Sequence, residues 1–205
     1  MRVSLRGRQP ARPDPAGVSD AAATWISWPH NPETWPDVEK AEHAMALGVK
    51  ALATGELVRI NVLDEDHEIH VRALLDRHDV EGDLAFHRIP TDDAWCRDHG
   101  AIFVVKEENG RRQLAATDWH FNAWGGKYPP WDRDEAVARQ MADLLGVPRF
   151  EGGIVLEGGA IEVNGKGTML TTEACLLNEN RNPHLSKEQI EGYLRRLFNV
   201  QKFLW

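Results

Sequence analysis

Cysteine is nearly absent from these 205 residues: Cys96 and Cys175 are the only two. Two thiols cannot build a disulfide framework, so the sequence reads as that of a protein kept in a reducing, cytoplasmic compartment. Long apolar runs are missing as well. The longest, such as 101–105, fall far short of the ~20 residues that cross a bilayer, and none makes the apolar core of a secretory signal. Positive charge is in deficit, with 24 Lys plus Arg against 32 Asp plus Glu and a formal net charge of −8. That balance argues against a nucleic-acid or phosphate-binding surface and favours a neutral or cationic small ligand. Nothing in the sequence calls for a cofactor or a bound metal. At 42% hydrophobic and 27% charged residues the composition is that of an ordinary globular chain, long enough for one domain or two small ones.

Tryptophan is what the sequence has in excess. There are eight against two Tyr, and seven of them fall within 25–131. Indoles fill cores, and they also stack on planar cations. Residues 1–20 differ from the rest, with Arg2, Arg6, Arg8 and Arg12 among Pro10, Pro13 and Pro15. This text reads as a disordered or mis-assigned leader, and the globular region as 21–205.

From Trp25 onward the periodicity predicts a mixed α/β fold. Helices are expected over 38–54, 67–77, 134–145 and from the capping box Ser186-Lys187-Glu188-Gln189 to Phe198. Strands are expected over 57–63, 84–89, 101–106, 113–117, 154–156, 160–163, 168–171 and 200–205. Asn109-Gly110 and Asn164-Gly165 predict hairpins, and 118–133 reads as a loop. Strand and helix units recur loosely at intervals of about 70–90 residues.

Four stretches carry residue types suited to chemistry. In Asp92-Asp93-Ala94-Trp95-Cys96-Arg97-Asp98-His99-Gly100, three carboxylates, a Trp, a Cys and a His precede an apolar strand. Read as extended chain, the segment puts Trp95, Arg97 and His99 on one face and Ala94, Cys96 and Asp98 on the other. Such a set suits a planar cation, held by a carboxylate and covered by an indole; a plain Arg97–Asp pair in a surface turn is the other reading. Both Cys96 and Cys175 read as small buried fillers. Phe121-Asn122-Ala123-Trp124-Gly125-Gly126 reads as a pocket-lining loop without the spacing of a phosphate loop. In Leu156-Glu157-Gly158-Gly159 the Glu ends an apolar strand. It is either a partly buried acid in need of a partner or one reaching solvent. His67, His70 and His78 read as a solvated helix face rather than a metal site.

Together these stretches resemble the agmatine deiminase family, relatives of bacterial peptidylarginine deiminases in the guanidino-modifying (pentein) superfamily. The resemblance is carried by Thr24-Trp25-Ile26-Ser27-Trp28-Pro29, by Asp92-Asp93-Ala94-Trp95 with Arg97-Asp98, and by 121–126. It continues through 156–159, Leu170-Thr171-Thr172-Glu173, Leu176-Leu177-Asn178 and Arg181-Asn182-Pro183. It implies pentein-type α/β propeller modules around a pseudo-fivefold axis, here about the N-terminal half. It also implies a hydrolase that converts agmatine to N-carbamoylputrescine and ammonia, in putrescine biosynthesis, without a cofactor. Asp98 is similar to the Asp that clamps the guanidinium, and Glu157 to the acid that supports the catalytic His. Asp92, Trp95, Trp124 and Trp28 take the place of substrate-binding residues, the last two as pocket walls.

The family's Gly-His-x-Asp segment and its nucleophilic Cys have no counterpart in 1–205, so the sequence is expected to be a partial domain. Its expected partners are a small cationic guanidine and either a further copy of itself or the missing C-terminal half. A non-catalytic half that binds cationic amines, and peptidylarginine deiminase activity, are the alternatives.

Overall fold

A computed structural model describes residues 23–205; the predicted leader lies outside the described residues. The chain divides into two compact units, 23–96 and Arg97–Trp205.

In the first unit three strands, β1 (Ala23–Ser27), β2 (Leu57–Val62) and β3 (Leu84–Arg88), form an all-parallel sheet in that order. Parallel neighbours require crossovers, supplied by α1 (Val38–Ala53) and α2 (Glu65–Arg77). Each helix starts at a residue chosen for it. The Asp37 carboxylate accepts from the Lys40 N–H, and that of Asp64 from the His67 N–H. Ala46, Val49 and Ala53 share the buried face of α1 and meet Val58, Ile60 and Val62 of the central strand. Trp28 belongs to this core. It is fully buried, and its Nε1–H donates to Glu42 on α1 at 2.8 Å. The pocket-wall expectation for Trp28 is therefore corrected: a side chain with no exposed surface lines no pocket.

The second unit begins within α3 (Cys96–His99), a single helical turn. The extended reading of 92–100 fails there. In a helical turn Cys96 and His99 lie three residues apart on neighbouring positions instead of on opposite faces. Cys96 and Cys175 are half-buried, not the buried fillers expected.

Two three-stranded sheets follow, each built to the same plan of hairpin, helix and parallel return strand. The first contains β4 (Ile102–Glu108), β5 (Arg111–His120) and β6 (Arg149–Val155). Between β5 and β6 come three helices, α4 (Ala123–Gly126), α5 (Asp132–Glu135) and α6 (Val137–Leu145). The second sheet contains β7 (Ile161–Val163), β8 (Thr168–Thr171) and β9 (Lys202–Leu204). Its helices are α7 (Glu173–Leu176) and α8 (Lys187–Phe198).

The correspondence reaches side chains. Thr117 on β5 donates its hydroxyl to the Ile102 carbonyl, and Thr171 on β8 donates to that of Ala160, both at 2.8 Å. The first hairpin turns at Asn109 and Gly110, both with positive φ (52° and 74°), as the Asn-Gly pair requires. One core joins both sheets to α8, with Trp119 stacked on Phe198 at 5.3 Å between ring centroids.

Several sequence boundaries move. The predicted loop 118–133 holds the end of β5 and two short helices, and the helix expected from 134 is interrupted at Ala136. The strand expected at 154–156 starts at Arg149. The repeat is shorter than the interval read from the sequence, since β4 starts at Ile102 and β7 at Ile161.

Candidate active site

The six candidate site residues fall three to each unit: Trp28, Asp92 and Trp95 in the first, and Asp98, Trp124 and Glu157 in the second.

In the second unit β6 runs out at Val155 and the chain turns through Glu157, Gly158 and Gly159 against α3. The two glycines are dictated by contact distance. A Cβ at 158 would sit 2.2 Å from the Arg97 carbonyl oxygen, and one at 159 would sit 2.2 Å from Asp98 Oδ1. With hydrogen there instead, the Gly159 N–H donates to Asp98 Oδ1 at 2.9 Å. This fixes the carboxylate and leaves Oδ2 uncommitted among the described residues. Burial pushes the Asp98 carboxyl above its ordinary value. The Gly159 N–H opposes that rise, the negative charge of Glu157 adds to it, and Arg97 opposes it. Arg97 itself donates to the Ile161 carbonyl at 3.1 Å.

Glu157 is 2% exposed, so its charge must be met inside the protein. The partner is Arg181, whose Nε donates to Glu157 Oε1; both side chains are almost wholly buried. Of the two readings of this acid, the structure takes the buried, paired one. Arg181 also donates to Asn180 Oδ1, and Asn180 Nδ2 donates to the Trp124 carbonyl at 3.4 Å. Asn122 Nδ2 in turn donates to the Asn180 carbonyl at 3.0 Å. Two residues on, Asn182 bonds both backbone groups of Val155 at 2.9 Å.

Segment 180–182 thus ties the end of β6, the acid at 157 and the Trp124 turn together. That turn is unusual. Residues 123–126 all have positive φ, 48°, 57°, 87° and 74° in order. Two of them are not glycine, and such residues visit this region at a cost of about 1–2 kcal/mol each. The half-buried Trp124 is held edge-on against Phe121 at 5.5 Å and Tyr128 at 5.7 Å.

In the first unit the candidate Trp95 is held by a residue that the sequence left without a role. Asp93 is buried, and its carboxylate accepts the indole N–H of Trp35 on Oδ1 and that of Trp95 on Oδ2, both at 2.9 Å. The two half-buried indoles stack with centroids 5.5 Å apart and planes at 21°. Asp92 contributes its carbonyl, which accepts from Asn31 Nδ2 at 3.3 Å.

In the sequence Arg181 and Asn182 carried part of the family resemblance, but neither they nor Asn180 was given a role. Their partners lie too far away in the chain for local pattern to show. Among the described residues no group of three His, Cys, Asp or Glu is placed to hold a metal ion.

A carboxylate fixed by a backbone N–H, raised by burial and with one oxygen open, is suited to accept N–H donors from a cation. A guanidinium offers five such donors in one plane. Residues 14–205 match the family described as Porphyromonas-type peptidyl-arginine deiminase. The chain belongs to this family.

Within reach of this peptidyl-arginine deiminase family member are enzymes with a narrower name. The agmatine deiminase of Ectopseudomonas mendocina (strain ymp) is 44% identical over 197 residues, covering 93% of this chain and 51% of that protein. The agmatine deiminase of Stutzerimonas stutzeri (strain A1501) is 42% identical over the same length and coverage. Among solved structures, the agmatine deiminase of Enterococcus faecalis superposes with a TM-score of 0.81 at 36% identity, covering 89% of this chain and 49% of that one. The chain therefore spans about half the length of the curated relatives it matches. The family expectation read from Trp25–Pro29, Asp92–Asp98 and the later segments is borne out. Its solved neighbours agree with the mixed α/β content of the fold.

Proposed function

We propose that these residues form part of a guanidine deiminase acting on agmatine, with Asp98 as the clamp for the substrate guanidinium. The observation that carries the reading is the Asp98 carboxylate, held through Oδ1 by Gly159 and open at Oδ2. The narrower name shared by the relatives, agmatine deiminase, supports the small cationic substrate over a peptidyl one. Trp95 packs beside the substrate chain, with Asp92 near it, and Trp124 forms a wall. Glu157, with its charge met by Arg181, supports the catalytic His. The region from residue 21 onward is read as part of a pentein-type propeller around a pseudo-fivefold axis. The hairpin–helix–strand plan repeated at β4–β6 and β7–β9 supports that reading.

The reaction follows from the chemistry of the guanidinium, whose resonance protects it from water. Carboxylates orient it and match its charge. A thiolate then adds to the central carbon, and a His gives its proton to the departing ammonia. Water activated by the same His hydrolyses the thioether-linked amidino intermediate, which regenerates the thiolate and leaves N-carbamoylputrescine, a precursor of putrescine. We assign the thiolate and the His to parts of the deiminase other than the residues described above.

Calorimetry with agmatine tests the clamp on the protein as its gene encodes it. Asp98→Ala is expected to abolish binding with the fold retained by circular dichroism, and unchanged affinity would reject the assignment. Binding without ammonia release in the wild-type protein would instead favour a non-catalytic amine-binding half.

A further inference from the structure

The carboxylate of Asp93 sits where two segments of the first unit meet. One is the turn that follows Trp28, in which Asn31 accepts the N–H groups of Glu33 on Oδ1 and of Trp35 on its carbonyl, at 3.0 and 2.9 Å. The other is 91–95, in which the Ala94 N–H donates to Asp93 Oδ1 at 2.7 Å. Asp93 is 7% exposed, so its charge is stabilised by donors rather than by water.

Two of those donors are the indole N–H groups of Trp35 and Trp95, one on each oxygen. An indole has a single donor and no acceptor, so each bond fixes where the edge of its ring points. With both edges fixed on one carboxylate and the rings stacked, the two indoles form a single wall and lose their separate rotamer freedom. The wall also carries negative character. A ring whose N–H is drawn toward a carboxylate presents a more electron-rich face, and such faces attract cations.

We infer that Asp93 is a positioning residue that locks Trp35 and Trp95 into a two-indole wall for a cationic substrate, with Trp35 as its second face. This rests on the deiminase reading only for the identity of that substrate; the locking itself does not need it. Asn at position 93 offers a single carbonyl acceptor where Asp offers two, so one indole must lose its partner while the shape of the side chain is kept.

Two stacked indoles couple their electronic transitions, which gives a paired positive and negative band in circular dichroism. Asp93→Asn is expected to collapse that couplet while the helical signal persists. It is also expected to raise the KM for agmatine about tenfold with kcat within about twofold, as the loss of binding shared by the ground and transition states predicts. Trp35→Phe, which leaves Asp93 and Trp95 in place, is expected to remove the couplet and raise KM similarly; it keeps the test open if Asp93→Asn fails to fold. Asp93→Glu, which restores two acceptor oxygens, is expected to recover part of both signals. A couplet unchanged in Asp93→Asn, or a wild-type KM in Trp35→Phe, overturns the inference. Wild-type protein that shows the couplet and loses it in Asp93→Asn but binds no agmatine overturns the deiminase reading and leaves the locking role intact.

Discussion

The two acids of the second unit meet opposite demands. Glu157 has its charge balanced inside the protein by Arg181, whereas burial raises the carboxyl of Asp98. A carboxyl raised in the folded state costs stability once ionised. Its favourable contribution is present below the unfolded value of 3.8 and lost as pH rises through the raised one. Asp98→Asn is therefore expected to increase the thermal midpoint at neutral pH while removing guanidinium affinity, a stability–activity exchange read by calorimetry. In the wild type, agmatine binding needs the ionised form. Affinity is expected to fall, on acidification, at a higher pH than for an ordinary Asp, with proton release on binding in that range. At Glu157 the expected result differs. Arg181→Gln strands a buried carboxylate and is expected to destabilise by about 3–5 kcal/mol in denaturant titration. Asp98 and Glu157 were candidates through the resemblance to the deiminase family, Glu157 also because it ends an apolar strand. Asp93 and Arg181 stayed without a role, since a decisive partner of each, Trp35 and Glu157, lies 58 and 24 residues away along the chain.

Elements were legible where local chemistry decides them. The Ser186 capping box opens α8 as expected, with the Ser186 hydroxyl accepting from the Gln189 N–H. Ser186→Ala is expected to cost about 1 kcal/mol, measured as a shift in the denaturation midpoint. The Asn109-Gly110 hairpin formed for the same local reason. Elements were misread where tertiary contact overrides pattern. Segment 92–100 looks extended by its alternation, yet 96–99 closes into a turn whose residues are taken up by the glycine pair 158–159. The 123–126 turn is left-handed over four residues, a conformation no propensity favours for Ala and Trp. It is held by Asn122 and Asn180. A Cβ at Gly125 would lie 2.3 Å from the Asn180 side chain, so Gly125→Ala is expected to displace Trp124 and change its fluorescence maximum. An unchanged spectrum would mean that Asn180 yields without moving the turn.

At the scale of the molecule, two histidines of the first unit make stability depend on pH. Burial lowers the pKa of His67, with electrostatic repulsion from His30 and His70 acting the same way and Glu42 and Asp64 opposing. His87 is lowered by burial and by Arg59. Histidines depressed in the folded state bind protons more readily once unfolded. Stability is thus fully present above the unfolded value of 6.5 and declines as pH falls below it, levelling off under the folded pKa. His67→Asn is expected to flatten that decline in thermal melts taken across this range; an equal slope in wild type and variant would remove His67 as its source. The repeated plan of the second unit was seen in the sequence only as a loose recurrence. The hairpin turns fall close to where Asn-Gly puts them, but the return strands β6 and β9 pair with partners beyond a helix, which no local period reveals.

The most direct test of guanidinium recognition is agmatine calorimetry on the native protein, wild type beside Asp98→Ala. Saturable binding in the wild type and none in a folded Asp98→Ala variant is the expected result. Equal affinity in the two proteins would contradict the role given to Asp98 and, with it, the deiminase reading of the site.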